Sequence, residues 1–148
     1  MSKIVKFKKG EIIFHQGAKE NFMYDILQGR VGIYSDWGLP TETELAVVTR
    51  EFIGDMGLIN SRRRIATAVA LTDCEMNLID ADSLEEYLNT NTDKAIALVH
   101  QLYKRLDQTD NELLESCKVI TEFIDAEEKI EDKPGLFEKM KRLAGILK

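Results

Sequence analysis

Phe22, Tyr24 and Ile26 alternate with Met23, Asp25 and Leu27, a period of two that predicts a β-strand. Gln28-Gly29-Arg30 interrupts the run and Val31, Ile33 and Tyr34 resume it, so the pair reads as a hairpin around a glycine-containing break. Asp36-Trp37-Gly38 is a second turn, leading through Pro40 to a strand at 44–48. Runs at 66–70 and 75–79 have similar length. Short strands at this spacing, from residue 4 to about residue 80, predict a β-sandwich or barrel.

Beyond residue 81 the period changes. Asp82 or Ser83 is the expected cap of a short helix reaching Leu88, with Glu85 and Glu86 near its positive end. Asn91-Thr92-Asp93 opens a longer helix, expected from Asp93 to about Ile120, on which Val99, Leu102, Leu106, Leu113, Ile120 and Phe123 form one stripe interrupted by polar Thr109 and Ser116. A stripe longer than one small β-domain covers predicts pairing with a second copy through Val99, Leu102, Leu106 and Leu113. The plainer alternative is a helix lying across its own barrel.

Ten acids between Asp107 and Asp132 face only Lys118 and Lys129, the mark of a solvated face or a fraying helix end. After Pro134-Gly135 the polarity reverses, with five basic residues from Lys133 onward against Glu138 alone. Leu136, Phe137, Met140, Leu143, Ala144 and Leu147 would line one face of a helix there. This segment, Leu136 to Leu147, has three candidate resting places: its own acidic stretch, a groove on a protein partner, or an anionic membrane. Protein is preferred, because the neighbouring acids are repelled from an anionic bilayer. The expected division is a domain over 1–120, including the long helix, and an acidic linker with a basic amphipathic helix over 121–148.

Composition narrows the classes. With 148 residues, 44% hydrophobic and 31% charged, the chain suits one domain with a real core. Its 20 Lys and Arg against 26 Asp and Glu give a net charge of −6, without the basic excess of a non-specific nucleic-acid binder. No apolar run approaches the ~20 residues of a membrane span, and residues 1–9 lack the apolar block of a secretory signal. Cys74 and Cys117 form no CxxC pair, and with only His15 and His100 they give no zinc spacing. Buried, reduced thiols in a cytoplasmic protein without a metal are the expectation. Neither histidine has a visible nucleophile partner, so no catalysis is expected.

The chemistry concentrates in residues 52–67, Phe-Ile-Gly-Asp-Met-Gly-Leu-Ile-Asn-Ser-Arg-Arg-Arg-Ile-Ala-Thr. A glycine entering a short helix leaves backbone N–H groups to point at an anion. Arg64, ten residues after Gly54, can fold back and fork onto phosphate oxygens. Asp55 cannot serve a phosphate, but it can accept from sugar hydroxyls, as acids do for ribose elsewhere. Phosphate donors beside a ribose acceptor describe a nucleotide site. The bland alternative is a solvated, arginine-rich loop.

This stretch resembles the phosphate-binding cassette of cyclic nucleotide-binding domains, usually Gly-Glu-(Leu/Met)-(Ala/Gly)-Leu followed by Pro-Arg-(Ser/Ala)-Ala-(Thr/Ser). Residues 10–17, Gly-Glu-Ile-Ile-Phe-His-Gln-Gly, resemble the family's first-strand signature, and residues 24–31, Tyr-Asp-Ile-Leu-Gln-Gly-Arg-Val, its hairpin. Residues 70–75, Ala-Leu-Thr-Asp-Cys-Glu, match the link to its last strand, and the similarity covers about residues 4 to 115. Phe52-Ile53-Gly54 and the helix around Lys104-Arg105-Leu106 are similar to the catabolite activator branch.

The resemblance implies a jelly-roll β-barrel with flanking helices and a long C-terminal dimerisation-type helix. It implies a cyclic nucleotide ligand, cAMP ahead of cGMP, contacted by Gly54, Asp55, Met56, Gly57, Arg64, Ile65, Ala66 and Thr67. Thr109 takes the position of the base contact, and Asp110 stands where the activator carries a serine reaching the partner's nucleotide. The winged helix-turn-helix is not carried over, because the chain after Ile120 is short and Glu122 to Asp132 has the wrong charge for DNA.

Three cassette positions depart from the pattern: Asp55 is one methylene shorter than the usual Glu, Arg63 replaces Pro, and Ile65 replaces Ser or Ala. Two readings follow. One is a non-enzymatic sensor that signals to a partner by repositioning its long helix. The other is a degenerate fold acting as a structural dimerisation module without ligand.

Overall fold

The computed structural model describes residues 3–128 and residue 145. The elements run β1 (Lys3–Phe7), β2 (Ile12–Phe14), β3 (Phe22–Gln28), β4 (Val31–Ser35), β5 (Thr43–Val48), β6 (Phe52–Ile53), α1 (Asp55–Ile59), β7 (Thr67–Ala70), β8 (Cys74–Asp80), α2 (Ala81–Thr90) and α3 (Thr92–Glu128). The strands form two antiparallel four-stranded sheets, ordered β1-β8-β3-β6 and β2-β7-β4-β5. This is a roll of jelly-roll type, and its sheets do not close into a barrel.

Period-two alternation at β3 and β4 does produce the expected hairpin. At its turn Gly29 has φ +100°, and a Cβ there would sit 2.5 Å from Cys74 Sγ and 2.6 Å from the Asp73 carbonyl oxygen. Only glycine meets both the dihedral and the close approach.

Alternation does not, however, give β3 a wet face. Met23, Tyr24, Asp25 and Ile26 are all buried. Tyr24 and Ile26 join Ile13, Phe14, Val31, Ala68 and Met76 in the core between the sheets. Met23 lies on the other side, in a second cluster with Phe52, Leu58, Ile79, Tyr87 and Leu98. That cluster is how α1, α2 and the start of α3 cover the outer face of the first sheet.

The cap of α2 is Asp80, not Asp82 or Ser83: its Oδ1 accepts from the Ser83 N–H at 2.8 Å and from the Ser83 hydroxyl at 2.7 Å. The long helix also runs eight residues past the expected end at Ile120, so the acids from Glu122 to Glu128 are helical rather than linker. Cys74 and Cys117 are both free and buried.

The chain divides into two compact units, Met1–Gln101 and Leu102–Lys148. In the second, Cys117 and Ile124 are buried, whereas Leu106 and Leu113 are exposed. The expected helix over Leu136–Leu147 lies outside the described residues. No helix among those described is long and apolar enough to cross a membrane. β5 is an edge strand whose Leu45 and Val47 face solvent, and its pairing with β4 carries an irregularity between Ile33 and Tyr34.

Candidate functional site

Three consecutive arginines have three different fates. Arg62 is exposed. Arg63 donates from Nη1 to the Gly17 carbonyl at 2.9 Å. Arg64 turns inward, with its side chain 1% exposed. Its backbone is held on both sides, donating to the Ala18 carbonyl at 2.8 Å and accepting from the Gly17 N–H at 2.7 Å.

Every nitrogen of the Arg64 guanidinium is engaged. Nη1 donates to the Gly54 carbonyl at 2.6 Å, Nη2 to the Phe22 carbonyl at 2.5 Å, and Nε to Glu20 Oε2 at 3.2 Å. Nη2 also pairs with the same Glu20 oxygen at 3.1 Å. The cation lies 4.4 Å from the centre of the Phe14 ring and 5.6 Å from that of Phe22. A buried charge needs such a set of carbonyls, carboxylate and ring faces to offset its lost hydration.

The two cassette glycines exist to let this side chain in. A Cβ on Gly54, at φ +78°, would collide with Arg64 Nη1, and one on Gly57 would lie 2.8 Å from the same nitrogen. The motif's glycines therefore serve arginine packing, a role that spacing alone does not reveal.

Of the ten residues singled out in sequence, the structure brings Gly54, Gly57 and Arg64 into direct proximity. Asp55 is buried at the first position of α1, and Met56 is half-buried in the next. Ala66 and Thr67 are buried, with Thr67 Oγ1 accepting from the Gln16 N–H at 2.9 Å. Ile65 points out, 63% exposed. Thr109 and Asp110 belong to the second unit, where both are exposed and the Thr109 hydroxyl donates to the Arg105 carbonyl in its own helix. Sequence reasoning missed Glu20, Phe14 and Phe22. Glu20 lies 44 residues from Arg64, and no local pattern announces it.

Tyr24, stacked on Phe14 with ring centres 6.3 Å apart, has its phenol pushed up to about 12 by burial first and by the Glu20 charge second, against the opposing Arg64 charge. Tyr87 is also raised to about 12, by burial and then by its hydrogen bond to Asp25. An unfolded tyrosine ionises near 10. Between about pH 10 and 12 the folded chain keeps protons that the unfolded chain loses. The stabilising term is therefore complete below pH 10 and is lost as pH rises toward 12. Melting temperature should fall across that window, and Tyr24→Phe should make the fall shallower. An identical slope in the variant contradicts the assignment.

A surface hollow of about 270 Å³ between Lys6, Phe7, Lys8, Gln28 and Glu75 is a poor anion site. Its lysines are already paired, Lys6 with Glu75 at 3.1 Å and Lys8 with Asp73 at 3.3 Å. No group of three or more metal-ligating side chains occurs among the described residues.

The family profile described as "Cyclic nucleotide-binding domain" matches residues 4–91. The chain belongs to the cyclic nucleotide-binding domain family. This domain is 28% identical over 112 residues to the cAMP-activated global transcriptional regulator CRP of Salmonella typhimurium, covering 74% of this chain and 53% of that protein. The chain thus spans about half the length of the curated relatives it matches.

Among solved structures, the domain is similar to the catabolite activator protein of Thermus thermophilus, with TM-score 0.69 and 26% identity over 83% of this chain and 59% of that one. It is also similar to the N-terminal domain of a transcriptional regulator from Streptomyces coelicolor A3(2), with TM-score 0.55 and 28% identity over 75% and 78% of the two chains. The span of this cyclic nucleotide-binding domain that the family profile matches contains the whole Arg64 site.

Proposed function

We propose that this chain is a non-enzymatic sensor that binds a cyclic nucleotide, cAMP ahead of cGMP, with the cyclic phosphate on Arg64. The observation that carries the reading is the Arg64 guanidinium, buried in a slot kept open by Gly54 and Gly57 and paired there with one carboxylate. A guanidinium suits the forked geometry of a phosphate, which would take the place of Glu20 as the anion. Glu20 has a retreat, since its side chain is 27% exposed. The relatives named as cAMP-activated supply the preference for cAMP.

In this reading Gly54, Asp55, Met56, Gly57, Ile65, Ala66 and Thr67 serve the phosphate and ribose with Arg64, and for Thr109 and Asp110 only the family resemblance supports a role toward the base. Residues 1–120 act as the binding domain of a cytoplasmic regulator, and the segment from 121 offers Leu136–Leu147 to a protein partner. Titration calorimetry with cAMP, cGMP and 5′-AMP tests the reading. The two cyclic nucleotides should bind, cAMP more tightly. At 100 times its dissociation constant a ligand adds ~2.7 kcal/mol of stability. No heat and no thermal shift with either cyclic nucleotide at millimolar concentration would sink it.

A second reading, a structural module without ligand, draws on the contacts that Gly54, Phe22 and Glu20 already make with all three Arg64 guanidinium nitrogens and on the exposed Ile65. The same titration separates the two.

We also propose a homodimer through α3. Val99, Leu102, Leu106 and Leu113 are 66%, 39%, 59% and 48% exposed in the single chain, a row of large apolar side chains that water does not favour. Leu106→Glu with Leu113→Glu should give a folded monomer by light scattering. An unmodified chain that is already monomeric at high micromolar concentration ends the dimer reading.

A further inference from the structure

Phe52 sits in β6, the edge strand of the first sheet, and is paired in register with Asp25 of β3. The residue is 2% exposed, so its backbone N–H and carbonyl need partners inside the protein. The side-chain amide of Gln101 supplies both. Its Nε2 donates to the Phe52 carbonyl at 2.6 Å, and its Oε1 accepts from the Phe52 N–H at 2.9 Å. One primary amide does here what a further strand would do at a sheet edge.

Gln101 is not alone on its face of the helix. Lys94, Leu98 and Gln101 are spaced i, i+4 and i+7, one side of α3. Lys94 Nζ pairs with Asp25 Oδ1 at 2.9 Å. Leu98 packs in the cluster that holds Phe52 and the α1 residue Leu58. Three successive turns of α3 thus grip β3, α1 and β6, and the grip on β6 is the Gln101 amide. Two residues after Phe52 comes Gly54, whose carbonyl holds Arg64 Nη1 at 2.6 Å.

We propose that Gln101 is the positioning residue that fixes the cassette to the start of α3, so that the placement of those first turns and the affinity at Arg64 are set together. The proposal rests on the nucleotide-binding reading above and goes further by naming the residue that joins the two. Ligand that shifts Gly54 must shift β6, and β6 cannot move without either carrying Gln101 or leaving two buried backbone groups unpaired. That alternative is costly enough to make the two segments move as one.

Hydrogen exchange on the full chain without ligand tests the clamp. Gln101→Met keeps helix propensity and length but removes both polar partners. Exchange over residues 52–58 should rise about tenfold, while residues 31–35 and 67–70 keep their protection. Unchanged exchange over 52–58, or a uniform rise everywhere, overturns the proposal. If that variant fails to fold, Gln101→Glu is read in its place. It keeps an acceptor for the Phe52 N–H but sets a carboxylate oxygen against the Phe52 carbonyl in place of the donor, so a rise in exchange confined to 52–58 supports the clamp and any other outcome overturns it.

Calorimetry with cAMP then tests the coupling. The Gln101 variant should bind about tenfold more weakly, while Gln108→Met, an exposed change in the second unit, should bind as the unmodified chain does. Raised exchange with unchanged affinity overturns the coupling. A wild-type chain that binds neither cAMP nor cGMP overturns the nucleotide reading instead, and the ligand-free exchange still decides whether Gln101 holds the cassette.

Discussion

Arg64→Ala is expected to abolish the stabilisation by cAMP, whereas Arg62→Ala keeps it. Removing a forked, charge-assisted pair of hydrogen bonds from a buried site weakens binding at least a hundredfold, by the usual ~1.5–3 kcal/mol per bond. The same change lowers the stability of the free chain by about 2–3 kcal/mol, because the Gly54 and Phe22 carbonyls lose their donor and two aromatic rings lose a packed cation. Glu20 keeps some access to water, which holds the cost near the lower end for broken buried pairs. Arg64→Lys separates the two effects, retaining charge without the fork. Its stability should recover in part while its affinity stays low. Equal losses of cAMP binding from the changes at 62 and 64 would instead mean that nucleotide is attracted loosely by the whole arginine cluster.

Lys94→Met should cost about 2–3 kcal/mol, a little less than the usual penalty for orphaning a buried carboxylate because Lys94 is one-third exposed. Asp25 is 0% exposed, and its other oxygen accepts from the Tyr87 hydroxyl at 2.6 Å, with Asn77 Nδ2 donating to that hydroxyl at 3.1 Å. Removing the lysine leaves a full negative charge with hydroxyl support alone. Adding Asp25→Asn to Lys94→Met removes that charge and keeps the acceptor for Tyr87, so the double variant should recover most of the loss. Chemical denaturation of the four chains of this cycle gives the answer, and strictly additive losses would show that the pair is not coupled.

What could be read from the sequence, and what could not, follows the range of the interactions. The hairpin around Gly29 depends on neighbouring residues, and its alternation and glycine were plain. The cassette from Gly54 to Thr67 is a contiguous segment, and its resemblance to a family was legible for the same reason. Asp25 was hidden inside an alternating run because period two assigns it to the polar face. The structure makes that face the floor of a second core, under Tyr87 and Leu98. Glu20 and Gln101 carry no local mark at all, since their partners lie 44 and 49 residues away. The cap of α2 moved to Asp80 because that residue ends β8 and caps the helix at once, a double duty that separate strand and helix rules do not anticipate.

The second sheet finishes differently from the first. Its outer strand, β5, shows solvent a row of hydrogen-bonding groups together with Leu45 and Val47, the kind of margin that can recruit a second chain into a growing ribbon. Two features spoil the template. The irregularity between Ile33 and Tyr34 breaks the evenness of the neighbouring ladder, and Glu44, which accepts from the Tyr34 hydroxyl at 3.0 Å, plants a charge on the strand itself. Two copies approaching margin to margin would set like charges against each other along an uneven seam. Resistance to fibrillar stacking is thus written into a strand that contributes almost nothing to the core.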